Sequence, residues 1–260
     1  MQFIENEVKE VGPGVWIRVA VDNISWCDLG EAAAVIDALD VDALEQADVV
    51  RGLIKETTGR DLKWVVNTHW DRDHIACNPQ WRREGAVVIA HQSCADSARD
   101  WAGRPDVSFA DKAVLRGTGD KRIEMQWMGG THTPWDTVLY FPHARILHIA
   151  DLFGWGLIPC KPTPEKVSRL KDVLHQVVQF DADAVICGHG PVTTIGHIHR
   201  FLEYFDALLE VVPPLAAAGK SVEQIESEVP PPDDMQDWWR FIDWKHKKNI
   251  EMLATFGRAT

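Results

Sequence analysis

The hexad His69-Trp70-Asp71-Arg72-Asp73-His74 constrains this chain more than any other stretch of it. Its two imidazoles and two carboxylates are all good metal ligands. They follow the apolar run Trp64-Val65-Val66, which reads as a buried strand. In an extended segment, residues at i, i+2 and i+4 point to one side. That geometry predicts His69, Asp71 and Asp73 converging on one point and His74 turning to a neighbouring one, which suits two adjacent metal ions. A polar loop that merely happens to be rich in Asp and His would need four coincidences.

Further ligands stand elsewhere in the chain. His132 lies in Gly130-Thr131-His132-Thr133-Pro134, after the apolar stretch that ends at Met128. Asp151 closes the run Ile146-Leu147-His148-Ile149-Ala150-Asp151, and His189 follows Ala184-Val185-Ile186 in Gly188-His189-Gly190. Each occupies the end of a short apolar strand, where a sheet holds a ligand with little reorganisation. Taken singly, each histidine would more often be structural. Together with the hexad they form a set.

In this combination the chain resembles the metallo-β-lactamase superfamily, whose pattern runs His-x-His-x-Asp-His, Gly-x-His-Thr-Pro, an Asp after a strand, then Gly-His-Gly. Those segments fall here at 69–74, 130–134, 151 and 188–190, in the family's order. Val35-Ile36-Asp37 is similar to the family's early strand ending in Asp, and Lys247-Lys248-Asn249-Ile250 to the last helix of many members. The resemblance implies an α/β (α+β) fold, a four-layer αββα sandwich, occupying residues 1–260 as one domain. It assigns His69, Asp71 and His132 to a first metal, and Asp73, His74 and His189 to a second, with Asp151 bridging. It also gives Asp73 a catalytic role, orienting the bridging water and accepting its proton.

Asp71 departs from the family pattern, which has His there. A carboxylate in that place, as Glu, also occurs in the diiron flavodiiron branch, whose flavin-binding domain nothing here supplies. Two divalent ions bring four positive charges; Asp71, Asp73, Asp151 and a hydroxide bring four negative ones. The centre should therefore be a weaker electrophile and attract anions less than the His form. Zinc is favoured, since it binds His and Asp readily; iron or manganese stays open, because carboxylate suits harder ions. The expected function is a metal-dependent hydrolase in which hydroxide held between two ions attacks the carbonyl of a neutral, fairly apolar ester, lactone, lactam or thioester. The alternatives are a dinuclear iron protein using oxygen or redox chemistry, and a phosphodiester or phosphotriester hydrolase. No Gly-x-Ser-x-Gly elbow and no phosphate-cradling glycine loop supports another chemistry.

The net charge of −12 argues against nucleic acid as substrate, since phosphate backbones are bound by clustered Lys and Arg. A small molecule is the expected partner. No basic leader and no apolar run of membrane length stands in the sequence, so a cytoplasmic location is expected. Five cysteines, with no C-x-x-C pair, indicate neither a disulfide framework nor a zinc ribbon. Cys187 reads as a core thiol, and Cys77 lies close enough in sequence to His74 to approach the site.

Twelve tryptophans are many for 260 residues. Trp16, Trp64 and Trp127 read as core. Trp26, Trp70, Trp135 and Trp155 fall where site loops are expected and predict an aromatic-walled pocket. Residues 152–163 and the helices after 195 are expected to supply the rest of the wall. Trp238, Trp239 and Trp244 have helical spacing that points to packing or a homodimer interface. His197 and His199 read as surface histidines at a helix start. Periodicity predicts strands at 15–21, 32–36, 63–67, 86–90, 122–128, 137–141, 146–150 and 184–187. Helices are predicted at 42–57, 92–102, 164–179, 198–218 and 235–256.

Overall fold

A computed structural model describes residues 6–39, 46–97, 104–159 and 163–258. Stretches rich in β-branched and aromatic residues become its strands. The first sheet runs in chain order: β1 (Glu7–Gly12), β2 (Val15–Val19), β3 (Ile24–Asp28), β4 (Ala33–Ile36), β5 (Leu62–Val66), β6 (Val87–His91) and β7 (Val107–Phe109). Pairing is antiparallel from β1 to β4 and parallel from β4 to β7. Crossovers in the parallel half carry helices α1 (Gln46–Thr58), α2 (Arg72–Ile75), α3 (Asn78–Arg83) and α4 (Gln92–Ser97).

The second sheet contains β8 (Lys112–Arg116), β9 (Arg122–Trp127), β10 (Thr137–Phe141), β11 (Ile146–Ala150) and β12 (Ala184–Cys187). Helix α5 (Pro164–Val177) crosses from β11 to its parallel neighbour β12. It opens on Thr163, whose hydroxyl accepts the Lys166 N–H, with Pro164 in the first turn. Beyond β12 come α6 (Ile195–Ala217), α7 (Val222–Glu228), one π-turn (Phe241–Lys245) and α8 (His246–Arg258).

Alternation along the strands sorts side chains into three apolar clusters. Trp26, Val35 and Val65 face outward onto Ala47, Val50 and Ile54 of α1. Ile17, Cys27 and Ile36 face inward and meet Met125, Leu139 and Phe141 of the second sheet. The other face of that sheet, through Leu147, Ile149 and Val185, packs on Leu170 and Leu174 of α5, Phe201 and Phe205 of α6, and Leu253 of α8. Helix, sheet, sheet and helix thus stack as four layers.

Several local expectations are corrected. The 15–21 and 32–36 strands have a third between them, β3, so Trp26 lies in a strand and not in a turn. The extended geometry expected of the hexad stops at Asp71, which is the N-cap of α2; Asp73 and His74 are helical. The helix expected at 235–256 is broken into a 3-10 turn at Asp233–Met235, the π-turn and α8. Arg240, at φ 55, sets the break. Parts of the helices expected at 42–57 and 92–102 lie outside the described residues, as does Cys160.

Phe141 is fully buried between the sheets. Phe141→Ala is expected to cost about 3–5 kcal/mol, read from urea unfolding; a loss under about 1 kcal/mol would contradict its placement.

Candidate metal centre

All the candidate ligands lie at the carboxyl ends of strands, at one end of the seam between the two sheets. His69 follows β5, His132 sits in the β9–β10 loop, Asp151 follows β11 and His189 follows β12. The seam is tied there. Thr137 N–H donates to Thr68 O at 2.9 Å, and Asn23 N–H to Gly188 O at 2.8 Å. The Asn23 amide also donates to Cys187 O and Gly190 O, at 2.9 and 2.7 Å. The β2–β3 turn therefore clips the His189 loop of the other sheet. Gly188 must be glycine, because a Cβ there would collide with the Asp151 carboxylate. Asp136 holds the His132 loop, accepting from the Thr131 and Thr133 hydroxyls and the Thr133 N–H.

The ligand atoms fall into two groups, His69, His132 and Asp151 in one, and Asp73, His74 and His189 in the other. Asp71 Oδ2 lies 3.1 Å from His132 Nε2 and 3.7 Å from His69 Nε2, at the first group. Asp151 stands between the groups. Its Oδ2 is 3.8 Å from His69 Nε2, 3.6 Å from His132 Nε2 and 3.1 Å from His189 Nε2. Its Oδ1 is 3.6 Å from His74 Nε2. Asp73 Oδ2 is 3.4 Å from His74 Nε2 and 3.5 Å from His189 Nε2.

The outer side of each ring is tethered. His74 Nδ1–H donates to Asp37 Oδ2 at 2.8 Å. His69 Nδ1–H donates at 3.0 Å to the Thr68 hydroxyl, which donates in turn to Asp37. His132 Nδ1–H bonds Pro159 O, and His189 Nδ1–H donates to Val21 O at 2.8 Å. Tethering Nδ1 leaves each Nε2 lone pair for the centre. Within it, His69 Nε2, His74 Nε2 and Asp151 Oδ1 are buried without a hydrogen-bond partner. Buried polar atoms are rarely left so, and three converging on one place fit divalent cations as their missing partner.

These groups perturb one another strongly. Burial opposes charge on every imidazole. Even so, Asp151 and Asp37 hold His74 well above its ordinary pKa. Asp71 and Asp151 lift His132 to about 9, and Asp151 with Asp22 lifts His189 to about 10. His69 moves down, through burial and the neighbouring His74. Burial raises Asp73, but His74 and His189 outweigh it and bring the carboxyl to about 2.

Beside the two groups opens a cavity of about 730 Å³, lined by Asp71, His132, Asp151 and His189 on one side. The expected aromatic wall is placed differently. Trp135 lines the cavity, and Trp70 packs against it with ring centroids 5.6 Å apart without being a lining residue. Trp26 does not line it: the strand alternation of β3 buries its indole under α1, where Nε1–H donates to Thr57. Trp155 does not line it either, since its ring turns into the second helical layer and Nε1–H donates to Pro191 O. Trp239 and Trp244, assigned above to packing or a dimer interface, complete the wall, while Trp238 is core. Their spacing gave no signal for this role, because it arises from the docking of 233–258 onto the metal loops. Cys77 is buried with the α1 layer and does not face the ligands. His197 packs on Trp155 and Trp238 outside the cavity. Asp37 and Thr68 bind no candidate site directly; their role was visible only in that Asp37 ends an apolar strand.

A metal ion held here would take neutral imidazoles, so below about pH 9 it would displace protons from His132 and His189, and from His74. Calorimetric zinc titrations in buffers of different ionisation enthalpy should report proton release at pH 7 that shrinks as pH passes about 9 to 10. Affinity that is flat from about pH 6 to 9 would refute imidazole ligation.

Residues 33–189, more than half of the chain, match the sequence pattern of the metallo-beta-lactamase superfamily. Among solved structures, the chain is similar to a metallo-beta-lactamase from Pontibacter korlensis at 22% identity and TM-score 0.66, over 77% of this chain and 98% of that one. It is also similar to the DIM-1 metallo-beta-lactamase at 16% identity and TM-score 0.64, over 79% of this chain and 99% of that one. At these identities the likeness is one of fold. Through its sequence match, the chain belongs to the metallo-beta-lactamase superfamily.

Proposed function

We propose that this protein is a metal-dependent hydrolase that cleaves an ester, lactone, lactam or thioester carbonyl on a fairly apolar body, using two divalent ions. One observation carries the reading. The partnerless His69 Nε2, His74 Nε2 and Asp151 Oδ1 lie together, and the cavity that includes Asp151, His132 and His189 is otherwise walled largely by apolar side chains. Ions held by the two groups would supply a water of lowered pKa and Lewis-acid polarisation of a carbonyl oxygen.

The chain's own residues do the positioning. Asp151, with one oxygen toward His74 and the other toward His132 and His189, suits a ligand shared between the two groups. Asp73 suits the orientation of a water at the second group, having one oxygen between His74 and His189. Trp135, Trp239 and Trp244 bury the substrate body and exclude bulk water, which strengthens every electrostatic interaction inside. The extra carboxylate Asp71 lowers the positive charge of the first group and opens it to iron or manganese as well as zinc.

Elemental analysis of protein purified without added metal is expected to find two ions per chain; fewer than one would sink the dinuclear reading. Chromogenic ester or lactone turnover should vanish with chelator and return with zinc. Asp73→Ala should lower that turnover by about 10²–10⁴-fold with the far-UV spectrum unchanged. An unaltered rate would overturn the role given to Asp73. Iron-derived visible absorption with oxygen-dependent turnover would instead favour the redox alternative.

A further inference from the structure

The cavity carries a charge pattern opposite to that of the whole chain. The protein's net charge is −12, yet Lys166, Arg240, Lys245 and Lys248 all line this cavity. Its lining carboxylates are Asp71 and Asp151, both at the metal groups. Three of the four cations come from the π-turn and the residues on either side of it, at the C-terminal end of the fold.

Lys245 is the unusual member. It is 2% exposed, in a helical π-turn, a distortion frequent at functional sites. Its Nζ donates to Trp239 O at 2.6 Å and sits 4.3 Å from the centre of the Trp239 ring. Those contacts use one N–H and one face of the ammonium. No carboxylate pairs with it among the described residues, although Lys248 at the rim has Glu251 at 3.1 Å. A buried cation without a paired counter-charge is costly, and Asp243 on the same turn offsets this only in part, so an anion arriving beside Lys245 would offset that cost. Burial first, then nearby Arg240, lowers the Lys245 pKa to about 7, so an incoming carboxylate would restore its full charge. Arg240 is held in place over Trp239 and Trp244, its guanidinium carbon 5.7 and 5.8 Å from their ring centres.

The docking of this segment is built in. Gly190, beside His189, has φ 78, and a Cβ there would stand 2.5 Å from the Trp239 ring. Gly156, at φ 90, meets Phe241 in the same way. The turn that carries Lys245 is thus seated directly on the metal loops.

We infer that the cavity selects substrates bearing a carboxylate on an apolar body, and that Lys245 is the specificity-determining residue that receives the carboxylate. This rests on the cavity being the substrate site of the proposed hydrolase, and replaces the neutral substrate expected from the sequence. The three ligand carboxylates leave the metal centre little net charge to draw an anion. Attraction then falls to the C-terminal cations, while the aromatic wall takes the body.

The test is binding, with chelator-treated protein so that metal cannot take the carboxylate. Ligand-observed NMR titrations compare 4-phenylbutyrate with 4-phenyl-1-butanol. Wild type is expected to bind the carboxylate about tenfold tighter than the alcohol. Lys245→Met should reduce that preference at least about threefold, the rest coming from the other lining cations, and leave alcohol affinity within about twofold, while Lys245→Arg should retain the wild-type preference. Replacing a buried charge by an isosteric apolar chain should hold or raise the melting temperature; if Lys245→Met does not fold, Lys245→Gln decides by the same comparison. Equal affinities in wild type, or a preference unchanged by loss of Lys245, would overturn the proposal. Ester turnover without anion preference would overturn the anchor alone; a Lys245-dependent preference without metal-dependent turnover would overturn the hydrolase reading alone.

Discussion

One buried carboxylate organises the centre from behind. Asp37 ends β4 at φ 64 and accepts the Thr68 N–H, the Thr68 hydroxyl and His74 Nδ1–H. Burial alone would raise its pKa, but His74, with His148 and His69 beyond, holds it below the ordinary carboxylate range. A charged carboxylate survives there because three donors are aimed at it. Through these bonds, one side chain sets the tautomer and tilt of both His69 and His74, whose rings lie 4.1 Å apart. The same bonds leave both Nε2 atoms facing inward without partners. Any ion that satisfies those atoms would stabilise the native state by mass action.

The centre also holds the sheets together. Asn23 satisfies backbone groups of both, and Gly188 N–H donates to Ala150 O, so the His189 and Asp151 strand ends are locked side by side. Ala150 itself has φ 45, which turns the chain sharply enough to present Asp151 inward. Strain of this kind persists where surrounding structure over-determines it, and here it lies next to the residue between the two ligand groups.

Charge and shape are supplied by different parts of the chain. The ligands come from the matched stretch 33–189 and bring acidic side chains with them. Two of the cavity's three tryptophans, Trp239 and Trp244, and three of its four Lys and Arg residues come from residues 239–248, outside that stretch. A common centre can therefore serve different substrates by changing what docks over it, which is why the fold and ligand set do not name a substrate.

The candidate ligands could be picked out from the sequence because each follows a short apolar strand, and the structure brings those strand ends together at one end of the seam between the sheets. His69, His132, Asp151 and His189 needed no tertiary knowledge beyond that. The local geometry of the hexad was not legible: the extended reading failed at Asp71 because the backbone bonds of Arg72–Ile75 close a helical turn. Trp26 was misplaced for a related reason. Its position in β3 depends on pairing with β2 and β4, partners that a single-strand pattern does not reveal. The sequence by itself determined which side chains are candidate ligands and the alternation that makes four layers, since both follow from local side-chain chemistry and period. Only the tertiary structure decided which tryptophans wall the cavity and that Lys245 stands buried beside it. Those properties come from Trp239 and Phe241 closing on Gly190 and Gly156, contacts between residues far apart in the chain.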